Sequence, residues 1–264
     1  MIDVVIGDEH CRGKFISIYE KIKNRNDIRY IISTGDYFDP YDAYSLEDKL
    51  NNFDSIIKAA RIDKRIKPLL GNHDIHYLID TDTSRMDTVN ERIIRNAFLF
   101  NLDLFSLAIE LDNDTIVSHA GISPDWMKTY GYESVEDINS ILNSLVDNTE
   151  YGDNYYHSEE AVRKRKSITY QHCDKSGWGD NVKQTLTWIR PLSLLETDWK
   201  WKTQIVGHTR TDVRHMKSYF NNSWVVLNYE ELQFYGGIEV IKSNDNKKLI
   251  MVDTGDCMLT YLIR

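Results

Sequence analysis

Cysteine is scarce in this sequence: Cys11, Cys173 and Cys257 are the only three among 264 residues, an odd set without a CxxC pair. That excludes a disulfide framework and a cysteine-built zinc site, and the three read as reduced thiols. Long apolar runs are missing as well. Nothing approaches the roughly 20 residues that cross a bilayer, so no membrane partner is expected. The N-terminus lacks a basic segment and passes from Met1 straight into strand-like Ile2 to Ile6, so no secretory signal is read and a cytoplasmic setting is expected. Positive charge is in deficit, with 32 Lys+Arg against 41 Asp+Glu and a net charge of −9. A broad nucleic-acid-binding surface is therefore excluded, although a local positive site built by metal ions is not.

What is present is ordinary globular composition, 41% hydrophobic and 28% charged, in a length suited to one sizeable domain. No internal repeat or low-complexity linker divides it. The expected organisation is a single domain over residues 1–264, with a helical insertion or cap at about 124–201.

Ile2 to Ile6 is a short apolar run ending in Gly7-Asp8, and Phe15, Ile16, Ile18, Tyr19 and Ile22 follow at helical spacing. Ile28 to Ile32 is a second buried-strand pattern, ending in Ser33-Thr34-Gly35-Asp36. Ser45 and Asp48 open the next helix, whose apolar face runs from Leu46 to Ala60. Ile66 to Leu70 is a third strand pattern, stopping at Gly71-Asn72-His73-Asp74. Three strands thus each run into a polar loop, and in an open α/β sheet ligands bind beyond the carboxyl ends of strands. A hairpin around Asp112-Asn113-Asp114 delivers His119, and the strand-rich remainder from Thr203 to Ile263 reads as a second sheet.

Two neighbouring divalent cations need a bridging carboxylate with nitrogen and oxygen donors on either side. Asp8 and His10, two residues apart, point to one side if the strand continues, and are candidates for one ion. Asp36 is the candidate bridge, with Asn72, His119 and His208 as donors to the second ion. His73, beside Asn72, is left to donate a proton to a leaving-group oxygen, with Asp39 as its partner. Arg190 is the candidate guanidinium clamp on phosphoryl oxygens.

The ordered blocks Gly7-Asp8-x-His10, Gly35-Asp36-x-x-Asp39, Gly71-Asn72-His73-Asp74, His119-Ala120-Gly121 and Gly207-His208-Thr209 resemble the calcineurin-like metallophosphoesterase superfamily. The closest likeness is to the PPP-type branch that includes bacterial and phage protein phosphatases and diadenosine tetraphosphate hydrolases. The resemblance runs from the first strand to Val252-Asp253-Thr254-Gly255, with the segment between His119 and Arg190 poorly matched. It implies an α/β fold in four layers, α/β/β/α, with two divalent metal ions at the sheet ends; Mn²⁺ is the first expectation, and Fe or Zn²⁺ also suit. It implies hydrolysis of a phosphomonoester, such as phosphorylated serine, threonine or tyrosine of a protein, by direct attack of a metal-bridging hydroxide. The substrate is then a phosphorylated small molecule, a nucleotide or a phosphoprotein. Two departures stand out. Pro40 occupies the position where the family has an arginine after the second aspartate, and Cys11-Arg12-Gly13 follows His10 in place of glycine. Arg12 or Arg210 is expected to replace the lost cation.

Blander roles compete at each position. A single aspartate at a strand end is ordinarily a turn former or helix cap, so Asp8, Asp36 and Asp39 carry weight only as an ordered set. Asp74 reads equally as a loop brace. Arg190 reads also as a surface cation lying over Trp188. His76, His157, His172 and His215 read as structural or surface residues, Tyr151 to Tyr156 as cap packing, and Lys164-Arg165-Lys166 as a solvated helix face. Two rival functions remain: cleavage of a dinucleoside polyphosphate or other nucleotide phosphoanhydride, and an inactive phosphoester-binding scaffold. A full set of candidate ligands together with a candidate proton donor argues against the scaffold.

Overall fold

Alternating side chains sort the strands into layers. In β1 (Ile2–Ile6), Val4 and Ile6 share a buried cluster with Phe15 and Ile18 of α1 (Lys14–Ile22) and with Phe53, Ile56 and Ile57 of α2 (Leu46–Ile62). Val5, between them, joins a different cluster with Val117, Ile205 and Ile250, which belong to other strands. Each such side chain contributes about 1.5–3 kcal/mol when fully buried, so the period of two fixes which face meets helices and which meets strands.

The structure is a computed structural model that describes residues 1–79, 81, 85–112, 114–148, 153–171, 179–210, 224–228, 238–242, 247–253 and 260–263. Cys173, Cys257, His172 and His215 lie outside the described residues. Among the described residues, one sheet has four strands in the order β10-β1-β2-β3, where β2 is Ile28–Ser33, β3 is Ile66–Pro68 and β10 is Thr260–Ile263. β1, β2 and β3 are parallel, and β10 runs antiparallel against β1. The second sheet has the order β4-β5-β6-β9-β8-β7. Its strands are β4 (Ala108–Asp112), β5 (Thr115–Ser118), β6 (Thr203–Val206), β7 (Trp224–Asn228), β8 (Ile238–Lys242) and β9 (Lys248–Met251). β5, β6 and β9 are parallel to one another.

Val5 and Ile32 of the first sheet, with Leu69 just beyond β3, and Val117, Ile205 and Ile250 of the second form the cluster between the sheets. α8 (Pro191–Leu195) shares a cluster with Val206, Leu249 and Met251 on the other side of the second sheet. The result is a mixed α/β fold with helices outside two stacked sheets, as expected. Four further helices are α3 (Asn72–Ile79), α4 (Glu91–Leu99), α5 (Pro124–Tyr130) and α6 (Val135–Asn139), and α7 spans Glu159–Ile168. No described helix is long and apolar enough to cross a membrane.

Three expectations change. The last strand does not extend the second sheet; β10 returns to pair with β1, which would otherwise present an open edge. Gly71-Asn72-His73-Asp74 is not a loop, because Asn72 and His73 already form the first turn of α3. Lys164 and Arg165 do not form a solvated face: Lys164 is buried against the Tyr155 hydroxyl, and Arg165 donates to the carbonyls of Ser144 and Tyr156.

Candidate metal centre

β1, β2, β3, β5, β6 and β9 run out into Asp8, Asp36, Asn72, His119, His208 and Asp253 respectively, and these segments meet. The backbone N–H of His208 donates to Asp8 Oδ2 at 2.9 Å across 200 residues of sequence, and Thr34 Oγ1 donates to Asp8 Oδ1 at 2.8 Å. Gly35 and Gly71 allow the second and third turns to touch. A Cβ on Gly35, which has φ +107°, would stand 2.4 Å from the Gly71 nitrogen. Asp74 locks that junction, accepting the backbone N–H groups of Asp36 and Gly71 at 2.8 Å and of Tyr37 at 2.9 Å. It is a brace.

Strand geometry does not persist to His10, contrary to expectation. His10 has φ +42°, and Asp36, Asp39 and His208 also have positive φ, at 56°, 58° and 60°. Such left-handed non-glycine residues cost roughly 1–3 kcal/mol each and gather where side chains must be aimed at one point. For His10 that point is Asp36 Oδ2, which lies 3.6 Å from His10 Nε2 and 3.6 Å from His119 Nε2.

The proton positions follow from the partners. His10 Nδ1 donates to the Phe38 carbonyl at 3.2 Å, and His119 Nδ1 donates to the Thr34 carbonyl at 2.7 Å. A carbonyl only accepts, so the neutral form of either ring carries its lone pair on Nε2, turned toward Asp36. Asn72 Oδ1 sits 2.8 Å from His119 Nε2 and 2.9 Å from His208 Nδ1. Burial, against the pull of Asp8, drives the His10 imidazole down to about 3; burial and the Arg190 charge hold His208 far below its ordinary value. Both are the neutral form that binds cations.

The two carboxylates respond in opposite senses. Burial alone would raise Asp8, but the His119 and His10 rings and the Thr34 hydroxyl outweigh it and lower its pKa. Burial first, then the charge of Asp8, pushes Asp36 well above the ordinary carboxylate value. Adjacent buried carboxylates, with His119 Nε2 beside the carbonyl oxygen of Asn72, are relieved by added positive charge. The residues therefore fit divalent cations: Asp8, His10 and Asp36 bring donor atoms within 4.8 Å of one another, and Asn72, His119 and His208 complete a second set around the same Asp36. The cradle tolerates no extra atom. A Cβ on Gly71 would lie 2.2 Å from Asp36 Oδ1 and 2.6 Å from His119 Cε1. Gly71→Ala is expected to keep the helical and sheet content seen by circular dichroism while metal analysis shows at least one ion lost; a full metal load in G71A would remove this reading of the cradle.

Asp39 and His73 form a separate cluster beside it. His73 Nδ1 donates to Asp39 Oδ2 at 2.9 Å, His76 Nε2 lies 2.8 Å from the same oxygen, and the Tyr77 hydroxyl donates to Oδ1. Burial works against ionisation of Asp39, but these partners outweigh it and hold its carboxyl below the usual range. Asp39, His73 and His76 could also hold a metal by distance alone, yet their donor atoms are engaged with each other. On the cleft side, Arg85 Nη2 donates to His73 Nε2 at 2.9 Å, which fixes the His73 tautomer with its proton on Nδ1.

The cleft over this centre has a volume of about 280 Å³ and is lined by His10, Asp36, Asn72, His73 and His208 together with Tyr41, Trp188 and three arginines. Arg190 and Arg210 are among them, and Arg190 Nη1 donates to Thr209 Oγ1 at 3.2 Å. Arg12 does not line it; its Nη1 donates to the Asp8 carbonyl at 3.4 Å. The third arginine, Arg85, was not anticipated from sequence, and neither was Tyr41. Nothing in the spacing of the short polar stretch before α4 marks Arg85. His76, read as structural or surface, is buried against Asp39, three residues after His73 on one helix.

A family model described as calcineurin-like phosphoesterase matches residues 4–211 of the chain. Among solved structures, the chain is similar to a protein serine/threonine phosphatase from Saccharomyces cerevisiae with similarity to human phosphatase PP5. The identity is 13% and the TM-score 0.46, over 95% of this chain and 78% of that one. It is also similar to a metallophosphoesterase from Sphaerobacter thermophilus, at 12% identity and a TM-score of 0.38, over 100% of this chain and 84% of that one. No curated protein matches it.

Proposed function

The chain belongs to the calcineurin-like phosphoesterase family of metal-dependent hydrolases, and from that premise we propose that it hydrolyses a phosphomonoester using two divalent ions. Asp8, His10 and Asp36 would hold one ion, and Asp36, Asn72, His119 and His208 the other. Two ions, when bound, supply the charge that activates a water and neutralises phosphoryl oxygens. The observation that carries the reading is the position of Asp36 Oδ2, equally 3.6 Å from the lone-pair nitrogens of His10 and His119. The mixed carboxylate, amide and imidazole donors accept Mn²⁺, Fe and Zn²⁺ alike, and the family resemblance puts Mn²⁺ first.

The chain's own groups do the rest. Asp39 holds Nδ1–H of His73, so Nε2 is the nitrogen that faces the cleft; burial lowers the His73 pKa in spite of Asp39 and favours the neutral ring, so Nε2 takes up a proton from water before giving one to the leaving oxygen. Arg190 and Arg210 grip phosphoryl oxygens from the cleft wall. A cleft of about 280 Å³ is at the small end of ligand sites, which favours one phosphoryl group with its ester over an extended dinucleotide. The second reading, nucleotide phosphoanhydride cleavage, draws support from the same lining: the aromatic rings of Tyr41 and Trp188 stand beside three guanidinium groups, a setting for a base and several phosphates.

The test is a panel of aryl phosphate, phosphopeptides, nucleotides and dinucleoside polyphosphates with the Mn²⁺-loaded protein. Monoesters are expected to release inorganic phosphate fastest. Turnover should vanish after chelation and return with Mn²⁺. Full activity in a metal-free preparation would end the metal mechanism, and nucleoside diphosphates as sole products from a symmetrical substrate would install the second reading.

A further inference from the structure

Of the three arginines that line the cleft, Arg85 is the one in contact with His73. Arg85 reaches that position through a left-handed backbone, φ +68°. Its guanidinium is held by three partners: Nη1 donates to the Asp39 carbonyl at 3.0 Å, Nη2 donates to His73 Nε2 at 2.9 Å, and the carbon lies 3.8 Å from the centre of the Tyr41 ring. Arg12 and Arg210 lie farther from that ring, at 5.4 and 5.0 Å.

The chemistry of these contacts is informative. A guanidinium has five N–H donors, and two are used here, both on neutral acceptors. Among the described residues no carboxylate forms an ion pair with Arg85, although it lines the cleft together with Asp36. A stacked, backbone-anchored arginine facing a cleft without a carboxylate partner is arranged for an external anion. Because Nη2 touches the nitrogen that would meet the leaving oxygen, any phosphoryl group within reach of His73 is also within reach of Arg85.

We propose that Arg85, stacked on Tyr41, is the phosphoryl-binding guanidinium on the His73 side of the cleft. The proposal deepens the phosphoester reading and rests on it for the ligand class, an inorganic or esterified phosphate. On binding, Arg85 keeps Asp39 and Tyr41 as partners and exchanges His73 Nε2 for a phosphoryl oxygen. That exchange replaces a bond from the guanidinium to a neutral nitrogen with one to an anionic oxygen, adding ion-pair attraction that the ring nitrogen does not offer.

Calorimetric titration of orthophosphate into the Mn²⁺-loaded protein tests this without requiring turnover. R85A is expected to raise the phosphate Kd roughly tenfold to hundredfold, the range for losing a charge-assisted contact, with metal content and Tm retained. R85K should recover only part, since an ammonium restores charge without the planar fork or the ring stacking. With an aryl phosphate the loss should fall mainly on KM. R25A, at an exposed arginine paired with Asp27, is the unaffected control. A phosphate Kd within twofold of wild type in R85A overturns the proposal, as does a wild type that binds no phosphate. If R85A sheds metal, R85K decides: metal retained with at least a threefold weaker Kd supports the clamp, and an unchanged Kd ends it. A wild type that binds phosphate through Arg85 but hydrolyses no ester would sink the enzymatic reading and leave the clamp standing; an active wild type indifferent to R85A does the reverse.

Discussion

Asp36→Asn is expected to leave a folded chain that holds at most one ion and hydrolyses an aryl phosphate roughly 10⁴-fold more slowly, a loss of about 5–6 kcal/mol at 1.36 kcal/mol per decade. The choice of asparagine matters. Asp36 has φ +56°, a conformation that asparagine accepts and alanine resists, and its Oδ1 accepts the backbone N–H of His73 at 2.9 Å, which an amide oxygen can still do. D36N therefore removes the charge that would bridge two ions and little else, whereas D36A adds backbone strain and an unsatisfied N–H. The metal-free protein gives a second reading with the opposite sign. Burial and the Asp8 charge raise the folded-state pKa of Asp36, so ionising it costs the fold stability. That stability is present while pH stays below the ordinary carboxylate value and is lost as pH climbs through the raised one. Metal-free D36N should consequently melt above metal-free wild type near neutral pH, while Mn²⁺ should raise the Tm of wild type far more than that of the variant. Two ions bound to D36N at wild-type affinity would remove Asp36 from the bridging position.

The parts of the site that sequence made legible are those tied to short-range pattern. Ile2 to Ile6 and Ile28 to Ile32 are largely apolar because they are largely buried, and each leads to a glycine followed by a ligand-type residue, directly in the first and through Ser33-Thr34 in the second. Six separated side chains meet because strand ends in parallel sheets lie together, a topological fact that motif order captures. What pattern could not carry was aim. Asp8 and His10 converge through a left-handed turn at His10, not through continued strand alternation, and nothing in residue type announces φ +42°. Arg85 is invisible for a related reason: its place depends on the Asp39 carbonyl and the Tyr41 ring, partners some 45 residues away whose proximity only the folded chain creates. Arg12, adjacent in sequence to the first motif, looked better placed and instead binds the carbonyl of Asp8. The pairing of β10 with β1 was likewise out of reach, since a short apolar strand carries no label for the sheet it joins.

His73→Asn is expected to lower kcat by roughly 10²–10⁴-fold, the usual range for removing a positioned acid or base, with both ions still bound. The geometry separates it from the candidate ligands. His73 Nδ1 is spent on Asp39 Oδ2 and Nε2 on Arg85, while the ring nitrogens of His10, His119 and His208 turn toward Asp36 and Asn72. The backbone N–H of His73 that supports Asp36 survives any side-chain change. Loss of a proton donor also has a graded effect that loss of a ligand does not: a leaving group that departs readily as an anion needs no proton, whereas an alkoxide does. The variant's deficit should therefore be small for a nitrophenyl phosphate and near its maximum for an alkyl phosphate or phosphoserine peptide. Asp39→Asn should show the same dependence at reduced size, because an amide can still orient the ring but cannot stabilise its protonated form. A deficit that is equal across leaving groups, or that tracks metal lost from the protein, would transfer His73 from proton exchange to the ligand set.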